Sequence, residues 1–554
     1  MNNKKSEIEK LNSEIDRLKK ELKKRKKYGL VWEEKPEEVV EMCKEKLPVL
    51  KEVKNKEIIT DKNKPVNLLI EGDNYHALSV LNYTHEKKVD VIYIDPPYNT
   101  GARDWKYNND YVDINDAFRH SKWLSMMNNR LTLAKNLLKP DGVLICAIDE
   151  NEFYRLGLLL EEIFKGFEMH CITIVHNPRG VQGNNFSYTH EYAYFVFRKG
   201  LKVIGTRKIR EEDIDWRNLR DNGGESLRTD AKNCFYPIIV ENDKIIGFGD
   251  VIPNDIHTKK QTVNVGNKYF VYPIDRKGVE RKWRYAKQSI EQIQYLLRAK
   301  KTRLGYEIEI GKDFGIVRTV WQDSQYDANE YGTKLVHKLV PGTHFDFPKS
   351  VYNTYDCIAP ILFKRENAII LDYFAGSGTT GHAVMLLNKE NGGQRKFILC
   401  TNNENGIVEE VCYPRIKSVI KGHNDYPDIT NIPANLKYFK TNFVDAEPTD
   451  KNKIKLTEQA IEMLCVKEGT FEKVLGPENV KIFKNSEHYT AIIFDQIAIP
   501  KFKKAINGIK GKFSVYVFSL GDETLDEEFE DIKSKVKLSP IPEAILRVYR
   551  RIFK

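Results

Sequence analysis

Val91-Ile92-Tyr93-Ile94-Asp95-Pro96-Pro97-Tyr98 is the stretch on which the fold turns. Its first four residues are an apolar, buried-strand run, and the run stops abruptly at Asp95. A residue before proline is pushed out of the helical region. Two successive prolines then fix the next φ angles and remove two N–H donors. The result is a rigid, acceptor-rich corner at the carboxyl end of a strand. Asp95 offers carboxylate oxygens, Pro96 a free carbonyl and Tyr98 a ring face, and Pro97 stiffens the turn. Such a corner suits a planar, amino-bearing group. Asp-Pro-Pro followed by an aromatic is expected by chance in well under about one chain in a hundred of this length, so a mere strand-ending turn is the weaker account.

Working outward, strands alternate with helices on both sides. Residues 66–70 form a short apolar run followed by Glu71-Gly72-Asp73-Asn74 and a helix over 74–84. Leu124, Met127, Leu131, Ala134 and Leu138 mark an amphipathic helix, and Lys139-Pro140-Asp141-Gly142 turns into a strand over 143–148. This periodicity lapses over roughly 200–335 and returns at 368–371. The loop Asp372-Tyr373-Phe374-Ala375-Gly376-Ser377-Gly378-Thr379-Thr380, a helix over 381–388 and a strand over 396–400 then complete a βαβ unit. Alternation of this kind implies a doubly wound, largely parallel sheet interrupted by an inserted domain. After 436, strands at 490–494 and 513–518 flank a helix at 499–507, and the chain ends in a basic helix.

Length and composition set the limits. At 554 residues, 41% apolar and 30% charged, the chain exceeds one compact core and reads as three or four globular domains. No run approaches 18 consecutive apolar residues and the N-terminus has no apolar signal segment, so a cytoplasmic protein is expected. The eight cysteines form no CxxC pair, which signals neither a zinc site nor a disulfide framework. Net charge is +10, which allows a polyanionic partner without requiring one. Its placement says more: ten basic residues against two acidic ones lie between Arg276 and Arg303, among them Arg276, Lys277, Arg281, Lys282, Arg284 and Lys287. Trp283, Tyr285 and Tyr295 are interleaved with them, although a solvated helical face would also look like this. At the other end, Ile8, Leu11, Ile15, Leu18 and Leu22 form a heptad seam over 1–27. Three heptads are marginal alone, so the seam docks on its own domain or on a second copy.

The glycine loop follows a buried strand and opens a helix, the setting in which backbone can approach a nucleotide-like ligand closely. It is neither the dinucleotide fingerprint nor a phosphate loop of the GxxxxGK[ST] kind. Glu404, beyond the next strand, stands where a carboxylate can accept hydrogen bonds from ribose hydroxyls.

Asp95–Gly101 (DPPYNTG) together with Phe374–Thr380 (FAGSGTT) resembles the DNA amino-methyltransferases that use S-adenosylmethionine. The order of catalytic motif, insertion and cofactor loop is similar to the beta class. Shorter matches at His190-Glu191-Tyr192, Trp321, Glu330-Tyr331-Gly332-Thr333 and Phe347-Pro348-Lys349-Ser350 extend the likeness over about 28–435. With the N-terminal helix and the C-terminal module, the whole resembles the Mod subunit of a Type III restriction–modification system. The resemblance implies a Rossmann-like methyltransferase sheet with permuted motif order and five segments. These are a heptad helix (1–27), a catalytic half (28–199), an α+β target recognition domain (200–335), a cofactor half (336–435) and a small α/β module (436–554) that could dock a partner.

It also implies roles. Asp95, Pro96, Pro97 and Tyr98 would hold the target base, with Asn99 beside them toward DNA. Phe374, Ala375, Gly376, Ser377, Gly378 and Thr379 would contact the cofactor, with Asp372 nearby. Glu404 would take its ribose, Asp73 its adenine end and Lys349 its carboxylate. An aspartate at the first motif position goes with adenine N6, a serine with cytosine N4. The partners implied are double-stranded DNA, a second copy of the chain and a separate restriction subunit. A solitary methyltransferase, a non-catalytic specificity subunit and an RNA substrate are the competing readings.

Overall fold

The computed structural model describes residues 30–554 except 183–184, 210–213, 304, 475, 522, 524 and 554, together with Glu14, Ile15 and Arg17. The expected heptad helix therefore lies almost wholly outside the described residues. The chain divides into two compact units, 1–204 with 318–554, and 205–317.

The first unit is built on a ten-stranded sheet. In chain order its strands are β1 (Lys46–Glu52), β2 (Val66–Glu71), β3 (Val89–Ile94), β4 (Leu138–Ile148), β5 (Phe167–Val175), β6 (His190–Arg198), β7 (Val320–Trp321), β8 (Ile369–Asp372), β9 (Lys396–Thr401) and β10 (Asn435–Asp445). Across the sheet they run β1-β10-β2-β9-β8-β3-β4-β6-β5-β7. The six from β10 to β4 are parallel, and β1 and β6 pair antiparallel at either side. Strands β3 and β8 are neighbours, with Ile370 opposite Val91 and Leu371 opposite Ile92. From β8 the chain moves outward to β9, and from β3 it moves the opposite way to β4. This divergence is a topological switch point, which opens a crevice at the carboxyl ends of the two strands.

The central strands are buried on both faces, β3 from Val89 to Ile94 with the lone charge Asp90 paired to Lys139 and Arg365, as a parallel sheet covered on both sides requires. Among the covering helices are α1 (Asn74–Thr84), α2 (Arg119–Lys135), α3 (Phe153–Ile163), α4 (Val351–Leu362) and α5 (Thr379–Asn391). Every residue of α1 is buried, although its sequence, NYHALSVLNYT, is not uniformly apolar. Its polar side chains are satisfied within the core: Asn74 donates to the Tyr373 carbonyl at 3.0 Å, His76 Nε2 meets the Val39 carbonyl at 2.9 Å, and Asn82 donates to the Leu78 carbonyl at 2.8 Å.

Three expectations change. Leu138 ends no helix; α2 stops at Lys135, and Leu138 pairs with Val89 as the first residue of β4, with an irregularity before Val143. The insertion is shorter than 200–335, because Val320–Trp321 pairs with β5 in the main sheet and 318–335 belong to the first unit. Nor does the C-terminal module begin at 436, since Asn435–Asp445 pairs with both β1 and β2. Its own five-stranded sheet follows, ending in three parallel strands (His488–Ile493, Lys512–Phe518, Val536–Ile541). Leu464, Tyr516, Ile545 and Tyr549 share one core with Tyr75, Leu78 and Tyr83, which explains why α1 has no wet face.

The second unit consists of small antiparallel sheets around Leu219, Tyr236, Ile238, Val271, Trp283, Tyr306 and Ile308. It is mostly β, with one short α-helix (Lys287–Gln292) among its described residues, rather than evenly α+β. The basic segment forms no continuous helical face: it runs through that short helix into a strand, Leu297–Thr302.

Candidate active site

Asp95 follows the last residue of β3 directly, and Phe374 stands two residues beyond β8. Both line a cleft of about 1070 Å³, together with Pro97, Asp73, Asn74, Arg130, Gly376, Thr401, Asn402 and Glu404. The acidic corner and the glycine loop thus share one crevice at the switch point.

The proline corner is braced from behind. Trp123 of α2 donates its indole N–H to the Pro97 carbonyl at 2.7 Å. Asn99 takes a left-handed conformation (φ 58°), which asparagine tolerates better than most residues. Its amide is fully buried, donating to Glu152 Oε1 at 2.5 Å and accepting from the Trp105 indole at 3.0 Å. Glu152 in turn meets His120 Nδ1 at 2.5 Å. Asn99 is therefore a structural pin of the turn; the expectation that it faces DNA is corrected by its burial.

Lys349, immediately before the N-cap Ser350 of α4, enters this corner. Its ammonium lies 3.3 Å from Asp95 Oδ1 and bonds Glu191 Oε2 and the Tyr98 hydroxyl. It also sits 4.6 Å from the Tyr98 ring centroid. Tyr98 donates to Glu191 Oε2 at 3.1 Å, and Asn353 donates to Glu191 Oε1 at 2.8 Å. Burial pushes the Asp95 carboxyl up, with the Lys349 charge opposing. Burial would raise Glu191 as well, but the Lys349 charge holds it below the usual carboxylate range. Lys349 itself is held above its ordinary value, because Asp95 and Glu191 outweigh its desolvation. In this arrangement Lys349 faces the proline corner, bound to Glu191 and Tyr98 and close to Asp95, and does not line the cleft in which its expected partner, the cofactor's carboxylate, would lie.

On the glycine-loop side, Phe374 and Gly376 face the cleft, whereas Ala375, Ser377, Gly378 and Thr379 do not line it. Ser377 and Thr379 point inward, where the buried Arg415 donates to their hydroxyls at 2.8 and 2.7 Å. Gly378 caps α5 at φ 80°, and a Cβ there would stand 3.0 Å from Cys412 Sγ. That position needs glycine for both reasons. Asp372 shapes the loop from beneath, accepting from the Phe374 N–H at 3.0 Å and the Thr380 hydroxyl at 2.6 Å. Asp73 lines the cleft, but it also caps α1 through the Tyr75 N–H at 2.7 Å and pairs with Arg130 at 3.3 Å. Glu404 lines the cleft beside Lys106, 2.7 Å away.

Burial without a counter-charge raises the Asp372 carboxyl to about 7. Its folded pKa lies above the unfolded one, so folding takes up a proton between about pH 4 and pH 7. Stability therefore falls as pH rises through that window and levels off above it. Asp372→Asn keeps an acceptor for the Phe374 N–H and should flatten this part of the stability profile. Urea unfolding at pH 5 and pH 8 measures it, and an unaltered slope would refute the assignment.

Glu191, Lys106 and Phe345 were not expected as site residues. A signal exists for Glu191, a lone charge among the apolar residues of HEYAYFVF; nothing local marks the other two. In the second unit the basic cluster is partly neutralised: Arg281 bonds Asp275 at 2.9 Å, Lys282 lies 3.8 Å from Asp221, and Lys287 bonds Asp250 at 2.9 Å. Trp283 is core, while Arg276, Lys277 and Arg284 are exposed.

A parallel sheet whose switch point joins a glycine loop to a braced acidic corner is built to receive a ligand in the crevice between them. The chain belongs to the DNA methylase family, whose profile matches residues 89–411. It is 31% identical over 392 residues to the Type II methyltransferase M.KpnI of Klebsiella pneumoniae, covering 68% of this chain and 88% of that one. It is 29% identical over 389 residues to the Type III restriction-modification enzyme EcoPI Mod subunit of Escherichia phage P1. That match covers 61% of this chain and 58% of the phage protein. The StyLTI Mod subunit of Salmonella typhimurium is also 29% identical, over 431 residues, 70% of this chain and 60% of that one. The chain thus spans 58% and 60% of these two Mod subunits. Among the described residues no helix is long and apolar enough to cross a membrane.

Proposed function

We propose that this DNA methyltransferase transfers a methyl group from S-adenosylmethionine to N6 of adenine in double-stranded DNA, as the modification and specificity subunit of a Type III restriction–modification system. The observation that carries the reading is the single cleft lined by Asp95, Pro97, Phe374, Gly376 and Glu404. The residues fit the cofactor. Gly376 leaves the loop backbone open to close approach, with nothing nearer its missing Cβ than Phe345 at 3.8 Å. Glu404 would offer acceptors for ribose hydroxyls, Asp73 would take the adenine end, and Phe374 would offer a ring. When bound, S-adenosylmethionine supplies a methyl group already activated on a sulfonium.

The chain's own residues supply alignment and electrostatics. The exocyclic nitrogen of adenine is a poor nucleophile because its lone pair is delocalised into the ring. Asp95 and the Pro96 carbonyl accept its two N–H bonds and so localise the lone pair toward the methyl donor. The base is reached by flipping, at a few kcal/mol. Stacking on Tyr98 would offset about 1–3 kcal/mol of this, although in this structure Tyr98 does not line the cleft and its ring meets the Lys349 ammonium. Exposed Arg276, Lys277 and Arg284 serve phosphate contacts, which position DNA without reading it. A second copy of the chain, through the heptad segment, a restriction subunit and a cytoplasmic location complete this reading.

The match across 88% of M.KpnI, a protein named as a Type II methyltransferase and not as a Mod subunit, favours a second reading as a methyltransferase that works without a Type III restriction subunit, the solitary enzyme being one such case. Expression in a methylation-free host followed by single-molecule sequencing distinguishes them. N6-methyladenine on one strand of a short asymmetric site is the expected result. Methylation of both strands at a palindrome selects the solitary enzyme, and unmodified DNA with folded protein overturns both.

A further inference from the structure

Lys349 lies behind Asp95 rather than between it and the cleft. Asp95 lines the cleft and its side chain is 26% exposed, whereas Lys349 is 12% and Glu191 2% exposed and neither lines it. Asp95 Oδ1 is buried and makes no hydrogen bond of good geometry, yet the ammonium stands 3.3 Å away. The ammonium thus engages the buried Oδ1, and the exposed part of the side chain leaves Oδ2 as the oxygen that can accept from a ligand.

The ammonium has little freedom to leave. Glu191 holds it, and Glu191 is itself held by the Asn353 amide and the Tyr98 hydroxyl. Without the lysine, two carboxylates would share one buried site, and one of them would take a proton. A protonated Asp95 keeps only an uncharged carbonyl oxygen as acceptor, so it holds an amino N–H more weakly and does less to localise the nitrogen lone pair.

Resting on the methyltransferase reading, we propose that Lys349 is a positioning residue for Asp95: anchored by Glu191, it keeps the Asp95 carboxylate ionised and aimed into the cleft. The other groups facing Asp95 do not supply that charge. His176 is pushed toward its neutral form by burial, Tyr93, Tyr98 and Cys146 are pushed up and stay neutral, and Asp372 and Glu191 are acids.

The test uses the full chain with saturating DNA and S-adenosylmethionine, following methyl transfer from pH 5.5 to 9.5. Lys349→Met should move the acid limb up by about one pH unit or more. It should lower turnover at pH 7 about 100-fold, while calorimetry finds affinity for S-adenosylmethionine changed less than about threefold. Lys349→Arg should restore the limb in part. Glu191→Gln removes the competing carboxylate and should move the limb the opposite way, to lower pH. Loss of cofactor affinity in Lys349→Met with an unmoved limb overturns the proposal and assigns the lysine to the cofactor. Shifts of the same sign in the methionine and glutamine variants overturn it as well. Carbon-13 titration of labelled Asp95 in both variants reads the same opposed shifts without turnover. A wild-type chain inactive on DNA would therefore sink the methyltransferase reading while the Lys349 assignment was still decided.

Discussion

Asp95→Ala should lower methyl transfer by about 1000-fold or more at saturating DNA and cofactor, with cofactor affinity changed less than about threefold. The size of the effect follows from where charge develops. On the proposed reading N6 turns positive as it attacks, and Asp95, at the proline corner of the cleft, would be the carboxylate beside it; loss of one preorganised partner of this kind costs about 100- to 1000-fold. Loss of lone-pair localisation adds to that. The fold should survive, because the substitution leaves Lys349 and Glu191 as a balanced buried pair. Asp95→Asn separates the two contributions, keeping an acceptor and removing the charge. Tritium transfer from labelled S-adenosylmethionine and calorimetry give the two numbers. Turnover within tenfold of wild type would remove Asp95 from the reaction.

Arg130→Met should lower the unfolding free energy of the first unit by about 3–5 kcal/mol, the range for removing one partner of a buried ion pair. Arg130 is 3% exposed and Glu37 6%, and their charged groups approach to 2.7 Å. The guanidinium also bonds the Asn74 side-chain oxygen and reaches Asp73 at 3.3 Å. Methionine fills much of the same volume but leaves the Glu37 carboxylate buried without its cation. Asp73 and Asn74 begin α1 and line the cleft, so cofactor affinity should fall with stability. Guanidinium unfolding with and without cofactor measures both effects. A midpoint equal to wild type would show that Glu37 has another partner.

How much was legible beforehand follows the range of each signal. The strand before Asp95, the helix over 74–84 and the glycine loop opening α5 are local, and each lies within a few residues of its expected bounds. The insertion's far end was placed too late because 318–335 lacks apolar periodicity, and a two-residue strand gives none to find. The basic cluster looked strongly cationic, ten basic residues against two acidic, because Asp221, Asp250 and Asp275, which neutralise part of it, lie outside the segment.

By itself the sequence determined the acidic proline corner, the glycine loop and the alternating α/β pattern that places both at strand ends. Those properties depend on φ restriction, glycine's backbone freedom and the period of apolar residues, all short-range. Only the tertiary structure decided that β8 lies beside β3, that Lys349 turns to Asp95 and Glu191, that Asn99 is buried against Glu152, and that α1 is covered by the C-terminal module. A charge or an amide carries no mark of its partner along the chain. Its partner is chosen by which strands and helices pack together, because burial makes an unpaired polar group costly wherever it lands.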